Sequence, residues 1–425
     1  MHIQEIMLTN YRGATSLTLK LDQHLNVLFG INGAGKSTVL DAMAIMLSWA
    51  VSRICKPGAP GRPVLIDDIK NGSSFSSIEL MYITEKHQFS WRLAKGRQGH
   101  GSPKDPSQLA GLADFAKELQ DQISAHTEKV NLPLFVYYPV NRAVVDIPLR
   151  IRERHSFGLL DAYEGALTSG ANFRTFFEWY RDREDLENEN RKYLDTLIPP
   201  DGLLYPDPQL EAVRRAIQQI LPEFGNFAVR RNPLRMEVEK NGKRLTINQL
   251  SDGEKCLIAM VGDLARRMAI ANPMRKNPLE GDGIVLIDEI DLHLHPKWQR
   301  MIVDKLLATF PACQFIISTH SPHVITHVQP EQLFLLRQSD DGITAEKPTE
   351  SYGMNVDRIL EDLMGLETTR PDQVASTIHN IFDMINDGKL DEARKEITTL
   401  KDEIGSDPEL AKAEVLIKRM ELISK

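Results

Sequence analysis

The feature that most constrains the fold is a glycine-rich segment, Gly30-Ile31-Asn32-Gly33-Ala34-Gly35-Lys36-Ser37, which fits the pattern G-x-x-x-x-G-K-[ST] and is followed by Thr38. It comes directly after a short apolar run and directly before a stretch with helical spacing of apolar residues. Glycines let backbone N–H groups turn inward around phosphate oxygens, and the start of a helix adds partial positive charge. The segment therefore predicts a phosphate-binding loop between a buried strand and a helix, with Lys36 on the phosphates and Ser37 on Mg²⁺.

A second apolar run, Gly283-Ile284-Val285-Leu286-Ile287, ends in two acids, Asp288 and Glu289. A continuous apolar run is typical of a parallel strand that is buried on both faces, and ligands bind at the carboxyl ends of such strands. We therefore expect Asp288 to hold the Mg²⁺ shell and Glu289 to orient and polarise an attacking water. The two motifs together predict an α/β fold with a site for ATP and Mg²⁺.

Composition excludes several classes of protein. The chain has 425 residues, and 51 Lys and Arg against 59 Asp and Glu give a formal net charge of −8, so a basic protein that coats nucleic acid is disfavoured. We expect no membrane-spanning segment and no secretion signal. The three cysteines are too few for a disulfide framework, which favours a reducing, cytoplasmic location.

Two further segments stand in a suggestive order along the chain. Leu250-Ser251-Asp252-Gly253-Glu254-Lys255 reads as a helix start with Ser251 as its N-cap, and by itself it is no more than a capped helix. Ser318-Thr319-His320-Ser321-Pro322 follows another apolar run, so His320 lies at a strand end, where its ring can donate a hydrogen bond to a γ-phosphate. The spacing alone leaves both interpretations open.

This ordered set of motifs resembles the ABC-type ATPases, in particular the RecF, SMC and OLD-like branch. The resemblance implies a P-loop NTPase head, with a mixed sheet and helices on both faces, that sandwiches ATP between two subunits. It implies that Ser251 and Gly253 act on the partner's nucleotide and that His320 is the switch histidine. Asn10-Tyr11-Arg12-Gly13 matches the branch's N-terminal motif, whose arginine approaches the nucleotide. The remaining residues assigned to the nucleotide are Asn32, Gly33, Gly35 and Thr38.

The chain departs from the family pattern in two places. Asp252, Glu254 and Lys255 replace the glycine and glutamine of the common signature. No glutamine follows a strand at the position of the Q-loop, where Pro139-Val140-Asn141-Arg142 stands instead. The residue that contacts Mg²⁺ from this loop is therefore left unassigned.

The order of motifs divides the chain into four parts. We expect a first ATPase lobe with the phosphate loop at 1–150 and a helical insertion at 151–228. A second lobe with the signature, the acidic strand and His320 follows at 229–363, and a helical tail at 364–425. The insertion lacks the long heptads of SMC arms.

The insertion segment and the tail, added to the ATPase core, resemble the Septu-type (PtuA-like) anti-phage ATPases, including those associated with retrons. This resemblance implies a homodimer or higher oligomer that regulates a separate HNH-type nuclease subunit (PtuB-like), with no nuclease activity of its own. The alternative is a RecF-like DNA-binding repair ATPase or clamp.

Three groups of charged residues leave alternatives open. The dense charges from Arg181 to Lys192 are typical of a solvated helix face or of a partner surface. Asp291 to Pro296, with nearby histidines, suits a metal cluster, or resembles the D-loop segment of the same branch, which implies a dimer contact. The third group is two sets of basic residues that suit either surface charge or a DNA groove. These basic residues are Arg142, Arg150, Arg152, Arg154, Arg230, Arg231, Arg235, Lys243 and Arg244.

Overall fold

The computed structural model describes residues 1–99, 105–126, 130–140, 157–168, 173–193 and 205–423. The chain divides into two compact units, Met1–Met354 and Asn355–Lys425. The four sequence-based domain ranges stay a prediction. Several residues singled out above lie outside the described residues, namely Asn141, Arg142, Arg150, Arg152 and Arg154.

The strands of the described residues form three sheets. Their bounds are β1 (His2–Tyr11), β2 (Ala14–Lys20), β3 (Leu25–Phe29), β4 (Phe75–Ile83), β5 (Gln88–Gly96), β6 (Leu134–Tyr138), β7 (Phe224–Arg231), β8 (Leu234–Lys240), β9 (Lys243–Thr246), β10 (Gly283–Ile287), β11 (Cys313–Thr319), β12 (Leu333–Ser339) and β13 (Gly342–Glu346). The central sheet has the order β13-β12-β3-β11-β10-β6, and the other two have the orders β2-β1-β4-β5 and β7-β8-β9.

The central sheet is mixed, because β12, β3, β11, β10 and β6 pair in parallel and only β13 runs antiparallel. Strands β3, β6, β10 and β11 are buried along their whole length. This burial explains why they read as continuous apolar runs rather than alternating ones. Parallel pairing also brings the carboxyl ends of β3, β10 and β11 to one edge of the sheet, where the sequence motifs follow.

The helices of the described residues are α1 (Lys36–Cys55), α2 (Ala110–His126), α3 (Phe173–Arg191), α4 (Pro208–Ile220), α5 (Asp252–Ala271), α6 (Pro296–Gln299), α7 (Ile302–Thr309), α8 (Pro322–Ile325), α9 (Val356–Arg358), α10 (Asp372–Asn386), α11 (Leu390–Ile404) and α12 (Pro408–Ile423). Helices α5 and α1 lie on opposite faces of the central sheet. On one face Asp263 of α5 accepts a hydrogen bond of 3.0 Å from the Tyr138 hydroxyl. On the other face Tyr137, the preceding residue of β6, lies within electrostatic range of Asp41 on α1.

Helix α1 bears on the expectation that no segment spans a membrane. Among the described helices, α1 alone is long and apolar enough to cross a membrane by length and composition. However, 61% of its most apolar stretch is buried inside the protein. It begins at the phosphate loop and packs on the sheet, so its apolar residues are those of a core helix.

The charges of α3 face inward more than a solvated helix would allow. Glu184 accepts hydrogen bonds from the Val229 backbone N–H at 3.2 Å and from the Arg231 guanidinium at 2.5 Å. Glu187 forms an ion pair of 3.0 Å with Arg214 of α4. Both glutamates are buried, so the solvated-face interpretation is wrong for these two residues, because α4 and β7 supply their partners.

Two more arginines of the basic hairpin are also engaged within the chain. Arg230 and Arg235 form ion pairs of 2.9 Å and 2.7 Å with Glu237. Most of the positive charge of this cluster is therefore paired with carboxylates, which weakens the interpretation that the cluster forms a DNA-binding groove.

The second unit contains three amphipathic helices with a core of their own, as the sequence pattern predicted. Breaks occur at Gly388 and Gly405, which both have positive φ, 78° and 81°. An ion pair of 2.7 Å joins Arg370 to Asp407 ahead of α12. The core consists of Ile378, Ile381, Ile385, Ala393, Ile397, Leu400, Leu410, Ala413 and Ile417.

Candidate nucleotide site

The phosphate loop joins β3 to α1, as its sequence predicts. Gly35 is the N-cap of α1 and has a φ of 99°, a conformation that favours glycine. A Cβ there would also lie 2.3 Å from Cδ1 of Ile343 on β13, so no larger residue fits without rearrangement. Asn32, Gly33 and Ser37 are exposed and Thr38 is half-buried. The N-terminus of a long helix thus faces open space behind a glycine loop, which is the geometry of a phosphate site.

Lys36 is held inside this loop. Its ammonium group donates to the carbonyl oxygens of Gly30 and Ile31 at 3.0 and 3.1 Å, and the residue is only 5% exposed. Burial lowers the pKa of Lys36, and the nearby Glu289, Asp288 and Asp291 oppose that shift. The glycine loop and the acidic strand end, about 250 residues apart in sequence, are therefore electrostatic neighbours.

Ser318 organises the two acids at the end of β10. Its hydroxyl donates to Oδ1 of Asp288 at 2.5 Å and accepts from the backbone N–H of Glu289 at 2.8 Å. Glu289 itself has a φ of 49°, an uncommon backbone for a residue with a side chain. The arrangement fixes the Asp288 carboxylate and the backbone of Glu289, and sequence reasoning gave Ser318 no such role.

His320 lies beside Glu289. The distance from its Nε2 to Oε1 of Glu289 is 3.6 Å, and both side chains are about a quarter exposed. Asp291 stabilises the segment that carries His320, because its carboxylate accepts a hydrogen bond of 2.5 Å from the Thr319 hydroxyl. Burial, followed by the positive charge of Lys36, lowers the pKa of His320, so the ring is neutral at neutral pH.

Arg12 is held by two carboxylates that the sequence did not single out. Its Nε donates to Asp68 at 2.8 Å and its Nη2 to Asp41 at 2.5 Å. Asp41 lies on α1, one turn after the phosphate loop, and also accepts from Arg62 at 2.8 Å. The network ties the N-terminal hairpin to the helix that starts at the phosphate loop, which is consistent with a position of Arg12 near the nucleotide.

The residues present fit a magnesium nucleotide. Ser37 is exposed in the first turn of α1, next in sequence to Lys36, and Asp288 offers an oriented carboxylate within electrostatic range of Lys36. Oxygen ligands of this kind, used sparingly, are what Mg²⁺ takes when phosphates supply the rest.

The signature segment is built differently. Ser251 is the exposed N-cap of α5, where its Oγ accepts from the Glu254 N–H at 3.4 Å and its N–H donates to the Glu254 carboxylate at 2.9 Å. Lys240 forms an ion pair with Glu254. Gly253 is buried, and a Cβ there would lie 2.2 Å from the carbonyl oxygen of His293. Among the described residues no hydrogen bond or ion pair joins Ser251 to Lys36, Glu289 or His320.

The metal-cluster interpretation of Asp291 to Pro296 finds no support. Within the described ranges no three His, Cys, Asp or Glu side chains are placed to hold a metal ion together. Asp291 is engaged by Thr319, and Nδ1 of His295 caps α6 by accepting from the Lys297 N–H at 3.2 Å.

Comparison with known proteins identifies the family. A family model described as "AAA domain, putative AbiEii toxin, Type IV TA system" matches residues 25–326. The "Retron Ec83 probable ATPase" of Escherichia coli is 30% identical, over 96% of this chain and 85% of that protein. The "Retron Vc95 probable ATPase" of Vibrio cholerae serotype O1 biovar El Tor is 32% identical, over 84% of this chain and 78% of that protein.

Two comparisons are more distant. The "Septu protein PtuA" of Bacillus thuringiensis is 24% identical over 92% of each chain. A solved structure, "Crystal structure of the SmcHead bound to the C-winged helix domain of ScpA", is 15% identical, covers 81% of this chain and 98% of that chain, and has a TM-score of 0.48. The resemblance to Septu-type and retron-associated ATPases is confirmed by these relatives. The chain therefore belongs to the AAA-domain family that the model describes, and it is a relative of the retron ATPases.

Proposed function

We propose that this protein binds ATP with Mg²⁺ and hydrolyses it at an interface between two copies of the chain. The observation that carries the proposal is the convergence of Lys36, Asp288, Glu289 and His320 at one edge of the central sheet, beside a helix N-terminus. The resulting concentration of charge suits a triphosphate, because phosphoryl transfer depends mostly on positioning and on charge stabilisation.

Each residue has a distinct role in this proposal. Lys36 leaves its two loop carbonyls and binds the β and γ phosphates, while the loop N–H groups bind the remaining oxygens. Ser37 and Asp288 hold Mg²⁺, which neutralises phosphate charge when it is bound. Glu289 orients a water and accepts its proton, and His320 donates a hydrogen bond to the γ-phosphate.

The interface follows from the signature segment. Ser251 is exposed at the start of a 20-residue helix, and among the described residues its side chain bonds within its own capping box, so its hydroxyl is open to a second molecule. We propose that Ser251 and Gly253 of one copy complete the γ-phosphate site of the other. The N-terminus of α5 adds partial positive charge toward that phosphate.

The variant Glu289→Gln tests hydrolysis and assembly together. It keeps the shape of the side chain and removes the base, so we expect ATP binding to persist while turnover falls about a hundredfold or more. The closed dimer then accumulates, which light scattering with and without ATP measures. Glu346→Gln, a matched change on an exposed strand residue, is expected to behave as wild type. A Glu289→Gln chain that stays monomeric at saturating ATP would contradict the interface.

We further propose that ATP state controls a separate nuclease subunit of the HNH type in anti-phage defence, in the cytoplasm. The similarity to retron ATPases and to a Septu protein supports this role, and the cutting step is assigned to the partner rather than to this chain. The helical unit Asn355–Lys425 has its own core, so it suits a docking element for the partner or for another protomer.

Deletion of the helical unit tests the docking role. Because the nucleotide residues lie in Met1–Met354, we expect the shortened chain to bind ATP with unchanged affinity and to lose its complex with a co-expressed HNH protein encoded next to it. Co-purification measures the complex. An intact complex after deletion would overturn the docking role and would leave the ATPase proposal standing.

A further inference from the structure

The nucleotide site has one edge to which no residue has yet been assigned. Strand β6 is the outermost strand of the central sheet and pairs in parallel with β10, with Tyr137 opposite Leu286 and Tyr138 opposite Ile287. The backbone N–H of Asp288 donates to the Tyr138 carbonyl at 2.8 Å. The end of β6 therefore lies beside Asp288, at the edge where the phosphate loop also opens.

The two tyrosines at the end of β6 point to opposite faces of the sheet and differ in their bonding. Tyr138 is fully buried, and its hydroxyl donates to Asp263 of α5 at 3.0 Å. Tyr137 is 8% exposed, and its hydroxyl makes no hydrogen bond with any residue that the structure describes. The Tyr137 hydroxyl oxygen is also partly exposed to solvent.

The surroundings of Tyr137 are the acids and arginines of the nucleotide site. Burial raises the pKa of Tyr137 well above its ordinary value, and the negative charges of Asp288 and Asp41 raise it further, while Arg62 and Arg12 oppose them. The phenol is thus a neutral group that keeps its proton at any physiological pH. Arg12 and Arg62 are both engaged by Asp41, which leaves the phenol, with no hydrogen-bond partner among the described residues, within electrostatic range of Asp288.

We propose that the Tyr137 hydroxyl donates a hydrogen bond to the water shell of the Mg²⁺ that accompanies ATP, and so positions that ion from the β6 side. The inference rests on the proposed ATPase function and adds a residue to it. A phenol has one O–H donor on a rigid ring, so it reaches a fixed point without the flexibility of an amide side chain. Placed next to the carboxylate that would hold the ion, that donor orients a coordinated water, a role that outer contacts commonly play at metal sites.

The competing explanation is that Tyr137 is simply a large core side chain. Tyr138 is the reference for this explanation, since its hydroxyl is bonded deep in the protein to an aspartate that two arginines also hold. A tyrosine kept only for packing loses nothing but a hydroxyl when it becomes phenylalanine. A tyrosine kept for the ion changes the Mg²⁺ dependence of nucleotide binding.

The pair Tyr137→Phe and Tyr138→Phe separates the two explanations. The probe is a fluorescent ATP analogue bound to the full chain at increasing MgCl₂, with binding in excess EDTA as the metal-free reference. For Tyr137→Phe we expect the Mg²⁺ concentration at half-maximal binding to rise about tenfold, the size of one hydrogen bond to a charged centre, with EDTA binding and melting temperature unchanged. For Tyr138→Phe we expect the wild-type Mg²⁺ dependence and a lower melting temperature.

Each outcome of this experiment has one meaning. A Tyr137→Phe chain with the wild-type Mg²⁺ dependence overturns the inference, as does a shift of equal size in Tyr138→Phe. A wild-type chain that binds no ATP analogue at any MgCl₂ concentration instead overturns the proposed function.

Discussion

The strand ends around Lys36 and the first turn of α5 differ in how their polar groups are engaged. At the strand ends, residues from separate elements interact with one another, as Lys36 does with Asp288 and Glu289. At the start of α5, Ser251 bonds with Glu254 and Lys255 of its own helix and is exposed. The first arrangement is a pocket within one chain. The second is an exposed surface whose hydrogen-bond donors can bind another molecule.

This difference shows that motifs of one family need not meet in one molecule. The residues expected to bind, activate and sense the phosphates are electrostatic neighbours in the folded chain, whereas Ser251 bonds within its own helix. A helix N-terminus that satisfies one donor by its cap still presents others. The comparison predicts that damage to the two regions has different consequences.

The largest contrast is expected between Lys36→Ala and Ser251→Ala. Loss of the Lys36 charge should weaken ATP binding about a hundredfold, since hydrogen bonds to charged groups are the stronger ones. Ser251→Ala should leave binding by the single chain unchanged and reduce turnover. An equimolar mixture of the two variants should regain part of the wild-type turnover, because each mixed dimer contains one intact composite site. Phosphate release measures this.

Two controls sharpen the mixing experiment. Ser251→Thr keeps an N-cap oxygen, so it guards against a loss caused only by a destabilised helix start, which costs about 1 kcal/mol. Lys20→Ala removes an exposed lysine elsewhere and should change nothing. If the mixture is no more active than the average of the two separate variants, both residues act in the same pocket of one chain. That result would contradict the difference between the two regions.

A smaller effect is expected from Ser318→Ala, which tests how the strand ends are held. Without the hydroxyl, the Asp288 carboxylate and the Glu289 N–H lose a shared partner, so the free energy of unfolding should fall by about 1–3 kcal/mol and turnover should fall with it. Denaturant unfolding measures the first quantity. Ser76→Ala is the matched control, because Ser76 is equally buried and its hydroxyl has no hydrogen-bond partner in the part of the chain that the structure describes. Equal losses in the two variants would contradict the role of Ser318.

The smallest effect is expected for the pKa of His320, which we expect to change when ATP binds. Its pKa lies below the ordinary 6.5 in the free chain, chiefly through burial, so protonation opposes the folded state and this contribution to stability is lost as pH falls through the lowered pKa. A bound triphosphate adds negative charge beside the ring, so the pKa should rise on ATP binding. Histidine NMR with and without nucleotide measures it. No movement would place His320 away from the phosphates.

The sequence predicted those parts of the site that depend on local chemistry. The phosphate loop, the acidic strand end and the α5 cap each lie within a few consecutive residues, and their flanking patterns placed them between strands and helices. The parallel sheet was also predictable, because strands buried on both faces read as apolar runs.

The rest required the register of distant strands. Ser318 and Asp288 are thirty residues apart and meet because β10 and β11 pair in parallel. Tyr137 reads as one more apolar strand residue until the pairing of β6 with β10 places it opposite Leu286, two residues before Asp288. Glu184 of α3 read as a solvated charge, and only the packing of β7 against the helix supplies its buried partners.

The close approach of Gly253 to the His293 carbonyl has a consequence for the timing of hydrolysis. The carbonyl belongs to the stretch that leads away from Glu289, and Asp291 fastens that stretch to Thr319 next to the histidine. In the dimer proposed above, a shift of this stretch after hydrolysis would reach the first turn of α5, which we propose to contact the nucleotide of the neighbouring copy. The two sites of such a dimer would then influence each other's hydrolysis cycles.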